Sequence, residues 1–136
     1  MKYIPNSYLA FELDELSRVR LLNAYTPKYS RIVCHHVTIE HSITEASYQQ
    51  LMVRYGVTPN VEVIGRSAQG GVDCLSVMVN GGMQRPAGGY FHITHSLQPP
   101  HRPVESNALL VKLKGQPMET AVARIKVKGL MKLIPL

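Results

Sequence analysis

Two short segments of the sequence share one pattern: a histidine, a β-branched apolar residue and a threonine. The first is residues 36–38 (HVT) and the second is residues 92–94 (HIT). Both lie in stretches rich in β-branched residues, which predict β-strands. Because side chains alternate between the two faces of a strand, each histidine shares a face with its threonine, opposite an apolar face. We therefore expect both strands to pack the apolar face on the core and to turn the polar face toward solvent or a cleft.

Two imidazoles and two hydroxyls converge on one pocket if these strands lie close together in one sheet. That set of groups suits phosphodiester chemistry without a metal. A neutral imidazole takes a proton from water or a ribose hydroxyl, and a protonated one gives a proton to the leaving oxygen. Hydroxyl groups hold the non-bridging phosphate oxygens. The pattern predicts that His36 and His92 are catalytic and that Thr38 and Thr94 bind phosphate.

Four further residues are candidates for substrate binding. Tyr90 either stacks on a base or packs at the wall of the cleft. Ser96 either extends the polar face of its strand or ends the strand. Arg85 and Arg102 lie in predicted loops, where they either bind phosphate or are solvated.

Strand parity also sorts the residues around the first segment. His35 and His95 fall on the apolar faces, which predicts buried or supporting histidines rather than catalysts. Cys34 falls on the face of His36, as a nucleophile or as a buried, inert thiol. Glu40 either orients His36 or is a solvated strand end.

No metal and no cofactor are expected. The sequence has no His-x-x-x-His on a predicted helix and no Cys-x-x-Cys, and its acidic residues do not cluster near the histidines. The remaining histidines, His41 and His101, are predicted to lie in loops.

Composition limits the class of protein. A chain of 136 residues that is 45% hydrophobic predicts a single folded domain over residues 1–136 rather than a disordered chain. The net charge of +6 favours a phosphate-bearing or nucleic-acid partner, although solubility alone also accounts for it. No apolar run reaches the length of a membrane helix, so no membrane partner is expected. The first residues do not resemble a secretory signal and the chain has only two cysteines, which predicts a cytoplasmic protein with reduced thiols.

Local patterns place these residues on a series of elements. The predicted fold is α+β, with two helices and a largely antiparallel sheet. Asp14 is a predicted cap for the first helix, and Thr44 and Gly56 are predicted to bound the second. The predicted helices are 15–25 and 45–55, and the predicted strands are 8–13, 31–40, 61–66, 72–79, 90–97, 109–114 and 124–134.

The paired His-x-Thr segments on strands resemble the 2H phosphoesterase superfamily. Its members include bacterial RNA 2′,5′-ligase-like proteins, the cyclic phosphodiesterase domain of fungal tRNA ligase and phage proteins. Residues 11–18 (FELDELSR) are similar to the first strand and helix of some small members, and residues 103–107 (PVESN) to a segment of phage and RNA-repair-like members. The resemblance implies a bilobal fold with pseudo-twofold symmetry, in which the two motifs face each other across a central groove.

The same resemblance implies metal-independent cleavage of 2′,3′-cyclic phosphates or of 2′,5′-type linkages. It assigns catalysis to His36 and His92 and phosphate binding to Thr38 and Thr94. A small phage-like member would instead degrade a cyclic oligonucleotide signal in the cytoplasm of a host. A non-catalytic RNA- or nucleotide-binding module of the same fold is the open alternative. The sequence indicates neither protein partners nor which histidine is the acid.

Overall fold

The computed structural model describes residues 2–136, which form three helices and one eight-stranded sheet whose pairs are all antiparallel. The predicted α+β class is therefore confirmed. In chain order the elements are β1 (Ser7–Leu13), α1 (Glu15–Ala24), β2 (Arg31–Ile32), β3 (His36–Glu40), α2 (Glu45–Tyr55), β4 (Val61–Gln69), β5 (Val72–Val79), β6 (His92–Leu97), α3 (Glu105–Lys112), β7 (Glu119–Val127) and β8 (Gly129–Pro135).

Side-chain caps fix the first two helices where the sequence predicts them. The Asp14 carboxylate accepts from the Ser17 N–H at 2.7 Å at the start of α1. Thr44 and Ser47 exchange hydrogen bonds at the start of α2, a reciprocal cap. Gly56 ends α2 at a φ of 76°, in the region that favours glycine.

The predicted strand 109–114 is wrong, because most of that segment belongs to a third helix, α3. Its apolar run is too short for periodicity to separate a strand from a helix. The packing partners decide instead. Leu109 and Leu110 are buried in a small cluster with Cys74 and Leu97, where α3 lies against β5.

The predicted continuous strand 31–40 is also wrong, because it breaks between β2 and β3. Cys34 has a φ of 42°, which reverses the alternation of side chains. Arg18 from α1 donates to the carbonyls of Cys34 and Val33 at 3.0 and 3.5 Å and so clamps the break. As a result Cys34 is fully buried, whereas the His35 side chain is 49% exposed. The placements of His35 in the core and Cys34 on the polar face are corrected accordingly.

The two motif strands are neighbours in the middle of the sheet. The strand order is β7-β4-β5-β6-β3-β1-β8, and β2 also pairs with β6. Strands β3 and β6 meet through one registered pair, Val37 opposite Ile93, which are the central residues of the two motifs. Both are fully buried in the main core with Phe11, Leu21 and Leu75. The polar faces of both motifs therefore point to the other side of the sheet.

The helices between residues 2 and 136 are all too short or too polar to cross a membrane.

Candidate active site

The antiparallel pair β3–β6 brings the two motifs to a single cleft. With Val37 opposite Ile93, the strand directions place His36 toward Thr94 and Thr38 toward His92. The cleft has a volume of about 440 Å³. It is lined by Tyr8, Val33, His36, Thr38, His41, Arg85, His92, Thr94, Pro103, Val104 and Asn107. The structure thus brings together the four side chains that the sequence singles out.

His36 is partly buried, and its ring contacts the ring of the preceding residue, His35. Its Nδ1 lies 3.0 Å from Nδ1 of His35, and Nε2 of His35 lies 3.0 Å from the Glu12 carboxylate. Burial, then the neighbouring His35 and the facing His92, lower the pKa of His36 to about 4, and Glu12 opposes that shift. The ring is therefore neutral at pH 7 in the free protein.

His92 is held by the backbone. Its Nδ1 donates to the Tyr90 carbonyl at 2.9 Å, because a carbonyl oxygen can only accept. The side chain is buried, and burial lowers its pKa to about 4; the Tyr90 contact opposes this shift and Arg85 adds to it. With Nδ1 carrying the proton, the other ring nitrogen of neutral His92 is an acceptor.

The two threonines differ in how their hydroxyls are held. Thr94 Oγ1 lies 2.9 Å from Ser106 Oγ and 3.4 Å from the Pro103 carbonyl. Within residues 2–136 no side-chain hydrogen bond holds the Thr38 hydroxyl, which is free to donate to a ligand in the cleft. Because both threonines line the cleft, the pair can offer two hydroxyls to one phosphate group.

Arg85 contributes the positive charge of the cleft wall. Its Nε donates to the Gly88 carbonyl at 3.2 Å, which fixes the side chain against its own loop. Burial lowers the pKa of Arg85, and Glu40 opposes this shift. Because a guanidinium stays charged near neutral pH, Arg85 is suited to bind a phosphate oxygen.

The mouth of the cleft carries aromatic rings that the sequence did not single out as a site. Tyr8 and His41 stack with centroids 5.5 Å apart and planes at 13°, and Tyr8 lies 5.8 Å from His36. Asn107, in α3, brings a buried Oδ1 that has no hydrogen-bond partner in the described structure. Such groups can stack on a base or bind a polar edge.

Three predicted substrate-binding residues are absent from the cleft lining. The Tyr90 ring packs against Gly115, where an added Cβ would lie 2.4 Å from it, and the residue serves the site through its carbonyl. Arg102 is exposed and outside the lining. Ser96 is fully buried at the far end of β6.

Ser96 belongs to a separate buried network centred on an ion pair. Its hydroxyl donates to Asp73 at 2.6 Å and accepts from the Tyr29 N–H at 3.1 Å. Arg66 donates to both carboxylate oxygens of Asp73, at 2.9 and 2.8 Å, and the Lys28 N–H adds a further bond. Burial raises the pKa of Asp73, but the bonds from Arg66, Ser96 and Lys28 outweigh it and lower the pKa.

His95 and Cys34, two other residues that the sequence singles out, are buried in the fold. His95 is fully buried, as parity predicts, and its Nε2 lies 2.7 Å from the Tyr25 carbonyl. Burial raises the pKa of Cys34 to about 11, which matches an inert thiol rather than a nucleophile. No group of three or more His, Cys, Asp or Glu side chains in residues 2–136 is arranged to hold a metal ion.

Comparison with known proteins gives one informative match. No family model matches the chain, and no curated protein matches its sequence. A crystal structure of a fungal RNA kinase matches its fold with a TM-score of 0.69 at 16% identity, over 100% of this chain and 47% of that chain. The chain therefore spans about half the length of that structure. At this identity the match shows that the two proteins share a fold.

Proposed function

We propose that the protein is a metal-independent phosphodiesterase of the 2H type, which hydrolyses a phosphodiester of a nucleotide or RNA by two-histidine acid–base catalysis. One observation carries the proposal: both His-x-Thr motifs line a single cleft, on adjacent antiparallel strands that meet at the central residue of each motif. Two proton-transfer groups and two hydroxyl donors on opposite sides of a phosphate-sized space are what this reaction needs.

The reaction balances with groups that the chain supplies. One imidazole removes a proton from water as the water oxygen bonds to phosphorus. The other imidazole, in its protonated form, gives a proton to the leaving ribose oxygen as the old phosphorus–oxygen bond breaks. Each transfer contributes about 10²–10⁴-fold in rate. Thr38 and Thr94 hold the non-bridging oxygens while negative charge builds on them.

Several features support a nucleotide or RNA substrate. Arg85 and the Tyr8–His41 stack line the same cleft, and the chain carries a net charge of +6. The shared fold with a fungal RNA kinase also supports an RNA substrate.

The glycine-rich loop over residues 81–89 is not followed by Gly-Lys-Ser or Gly-Lys-Thr, the pattern that holds nucleotide phosphates for phosphoryl transfer. The candidate substrates are a 2′,3′-cyclic phosphate end, a 2′,5′ or 3′,5′ linkage and a cyclic oligonucleotide signal.

The second candidate is a non-catalytic RNA- or nucleotide-binding module. One observation favours it: burial lowers the pKa of both cleft histidines to about 4, so neither ring is protonated at pH 7 in the free protein. The enzyme hypothesis requires that a bound phosphate anion raises these pKa values, because an opposite charge nearby favours the protonated ring.

Hydrolysis assays with EDTA present test the two candidates. The substrates are a nucleoside 2′,3′-cyclic phosphate, 2′,5′- and 3′,5′-linked dinucleotides and cyclic dinucleotides. We expect turnover of at least one, reduced by at least about 10²-fold in His36→Ala and in His92→Ala. His101→Ala is the matched control, since His101 pairs with Glu105 outside the cleft. Wild-type rates in both cleft variants would end the proposal, and RNA binding without turnover would favour the binding module.

A further inference from the structure

Two residues outside the cleft lining form a chain of short polar contacts that ends on His36. The Glu12 carboxylate lies 3.0 Å from Nε2 of His35, and Nδ1 of His35 lies 3.0 Å from Nδ1 of His36. Glu12 lies on β1 directly opposite His36 on β3. His35 and Glu12 are absent from the cleft lining, so both lie outside the cavity that His36 faces.

The break in the chain at Cys34 creates this arrangement. In a regular strand, adjacent side chains point to opposite faces and two consecutive histidines cannot meet. The positive φ of Cys34 reverses that alternation just before His35, and Leu13 donates from its N–H to the His35 carbonyl at 3.0 Å. Arg18 holds the same break through its bonds to the Cys34 and Val33 carbonyls. Backbone bonds at Val33, Cys34 and His35 therefore fix the chain just before the two rings.

Only one arrangement of protons satisfies the chain when His35 is neutral. A carboxylate accepts and cannot donate, so Nε2 of His35 carries the proton that faces Glu12. Nδ1 of His35 is then an acceptor, and Nδ1 of His36 must donate to it. This leaves Nε2 of His36 as the nitrogen available for proton transfer in the cleft.

We propose that Glu12 and His35 are positioning residues that act through His36, by fixing its tautomer and orientation so that Nε2 exchanges protons with the substrate. The inference deepens the proposed phosphodiesterase function and rests on it. The second cleft histidine uses a different device, the Tyr90 carbonyl, for the same purpose. The charged and titratable groups facing His36 are Glu12 and His35 from behind, His92 across the cleft, and Tyr8 beside it; Lys132 contacts Glu12 from β8.

Imidazole ¹⁵N NMR tests the tautomer without any substrate. We expect wild-type His36 to show the form protonated on Nδ1, and His35→Ala to show a mixture of both neutral forms. His101→Ala, which removes a half-buried histidine that also pairs with a carboxylate, should leave the His36 signal unchanged. An unchanged His36 tautomer in His35→Ala would overturn the inference even if no phosphodiester proves to be a substrate.

Kinetics give the second measurement. In His35→Ala we expect kcat to fall by about 10–10²-fold with KM changed less than about threefold, because His35 acts through the His36 imidazole and not on substrate binding. Glu12→Gln can still accept from His35 but loses the charge that supports protonated His36. In that variant the limb of the pH–rate profile that belongs to His36 should move to lower pH. A kcat loss with an unmoved limb in Glu12→Gln and a fixed tautomer in His35→Ala would show a merely structural role.

Discussion

Strand β6 carries polar side chains of two kinds at its two ends. At one end, Ser96 and Asp73, its partner on the neighbouring β5, use their hydrogen-bonding atoms on each other, on Arg66 and on nearby backbone groups. At the other end, His92 uses one ring nitrogen on a backbone carbonyl and keeps the other for the cleft. Alternation puts both ends on one face, so position alone does not separate a site from a structural network. What distinguishes the candidate site is that His92 has a ring nitrogen with no partner among residues 2–136, whereas the Ser96 and Asp73 side chains are bonded within the protein.

The largest expected effects come from one substitution at each end. Asp73→Asn leaves the buried Arg66 without its charge partner, and we expect the free energy of unfolding to fall by about 3–5 kcal/mol. His92→Asn should instead lower kcat by at least about 10²-fold with a much smaller change in stability. Urea unfolding and hydrolysis rates of both variants measure this contrast. Loss of turnover in Asp73→Asn protein that is still folded would contradict the separation of a structural network from a catalytic site.

A milder pair of substitutions sharpens the same contrast. Thr94→Val removes a hydroxyl that faces the cleft, and we expect kcat to fall by about 10²-fold, as for loss of one donor to developing charge. Ser96→Ala removes a buried hydroxyl of similar size and should cost about 1–3 kcal/mol of stability while kcat is unchanged. Equal effects of the two changes on kcat would contradict the division.

The pH dependence of turnover depends on the two cleft histidines, His36 and His92, and not on the Asp73 network. The proposed mechanism needs one protonated and one neutral ring, and the pKa of both rings is about 4 in the free protein. We therefore expect kcat/KM to fall by about tenfold per pH unit as the pH rises above that range. The optimum of kcat should lie at higher pH, because bound phosphate raises both pKa values. A kcat/KM that stays flat between about pH 5 and 7 would contradict the assignment.

The smallest effect is expected at the mouth of the cleft. Tyr8→Ala removes a ring that stacks with His41, and KM for a nucleotide substrate should rise by about tenfold or less while kcat is unchanged. Tyr8→Phe keeps the ring and should behave like the wild type. If both variants lose kcat equally, the phenol hydroxyl takes part in the reaction, and the proposal that Tyr8 only stacks on a base is wrong.

Much of this organisation follows from the sequence, and the exceptions have physical causes. The caps at Asp14 and Thr44 are local signals that the fold does not override. Sequence patterns do not report strand order, so the sequence alone does not establish that Val37 and Ile93 are paired. Helix α3 was missed because its short apolar run has no distinguishing period, and with it Ser106 and Asn107.

The position of His35 could not be predicted for a different reason. It depends on a single backbone angle at Cys34, a residue type that rarely adopts a positive φ. Because of this one residue, Cys34 is buried and His35 is exposed, the reverse of what alternation predicts. The carboxylate that reaches His36 through His35 is therefore that of Glu12 and not that of Glu40. Parity arguments hold only as long as the strand is regular.

The narrow junction between β3 and β6 has a mechanical consequence. These strands share the one registered pair of Val37 and Ile93, whereas β4 and β5 share a ladder that runs from Val61 to Gln69. Before β3, the pairing of β2 and the N–H groups of Val33 and Cys34 hold the chain to β6, so the weakly bonded stretch is β3 itself. Local opening is easiest where the fewest bonds must break, so amide hydrogens should exchange sooner between β3 and β6 than within the β4–β5 ladder. The two imidazoles stand on either side of that line, so a small flexing of the sheet there would change the gap between them.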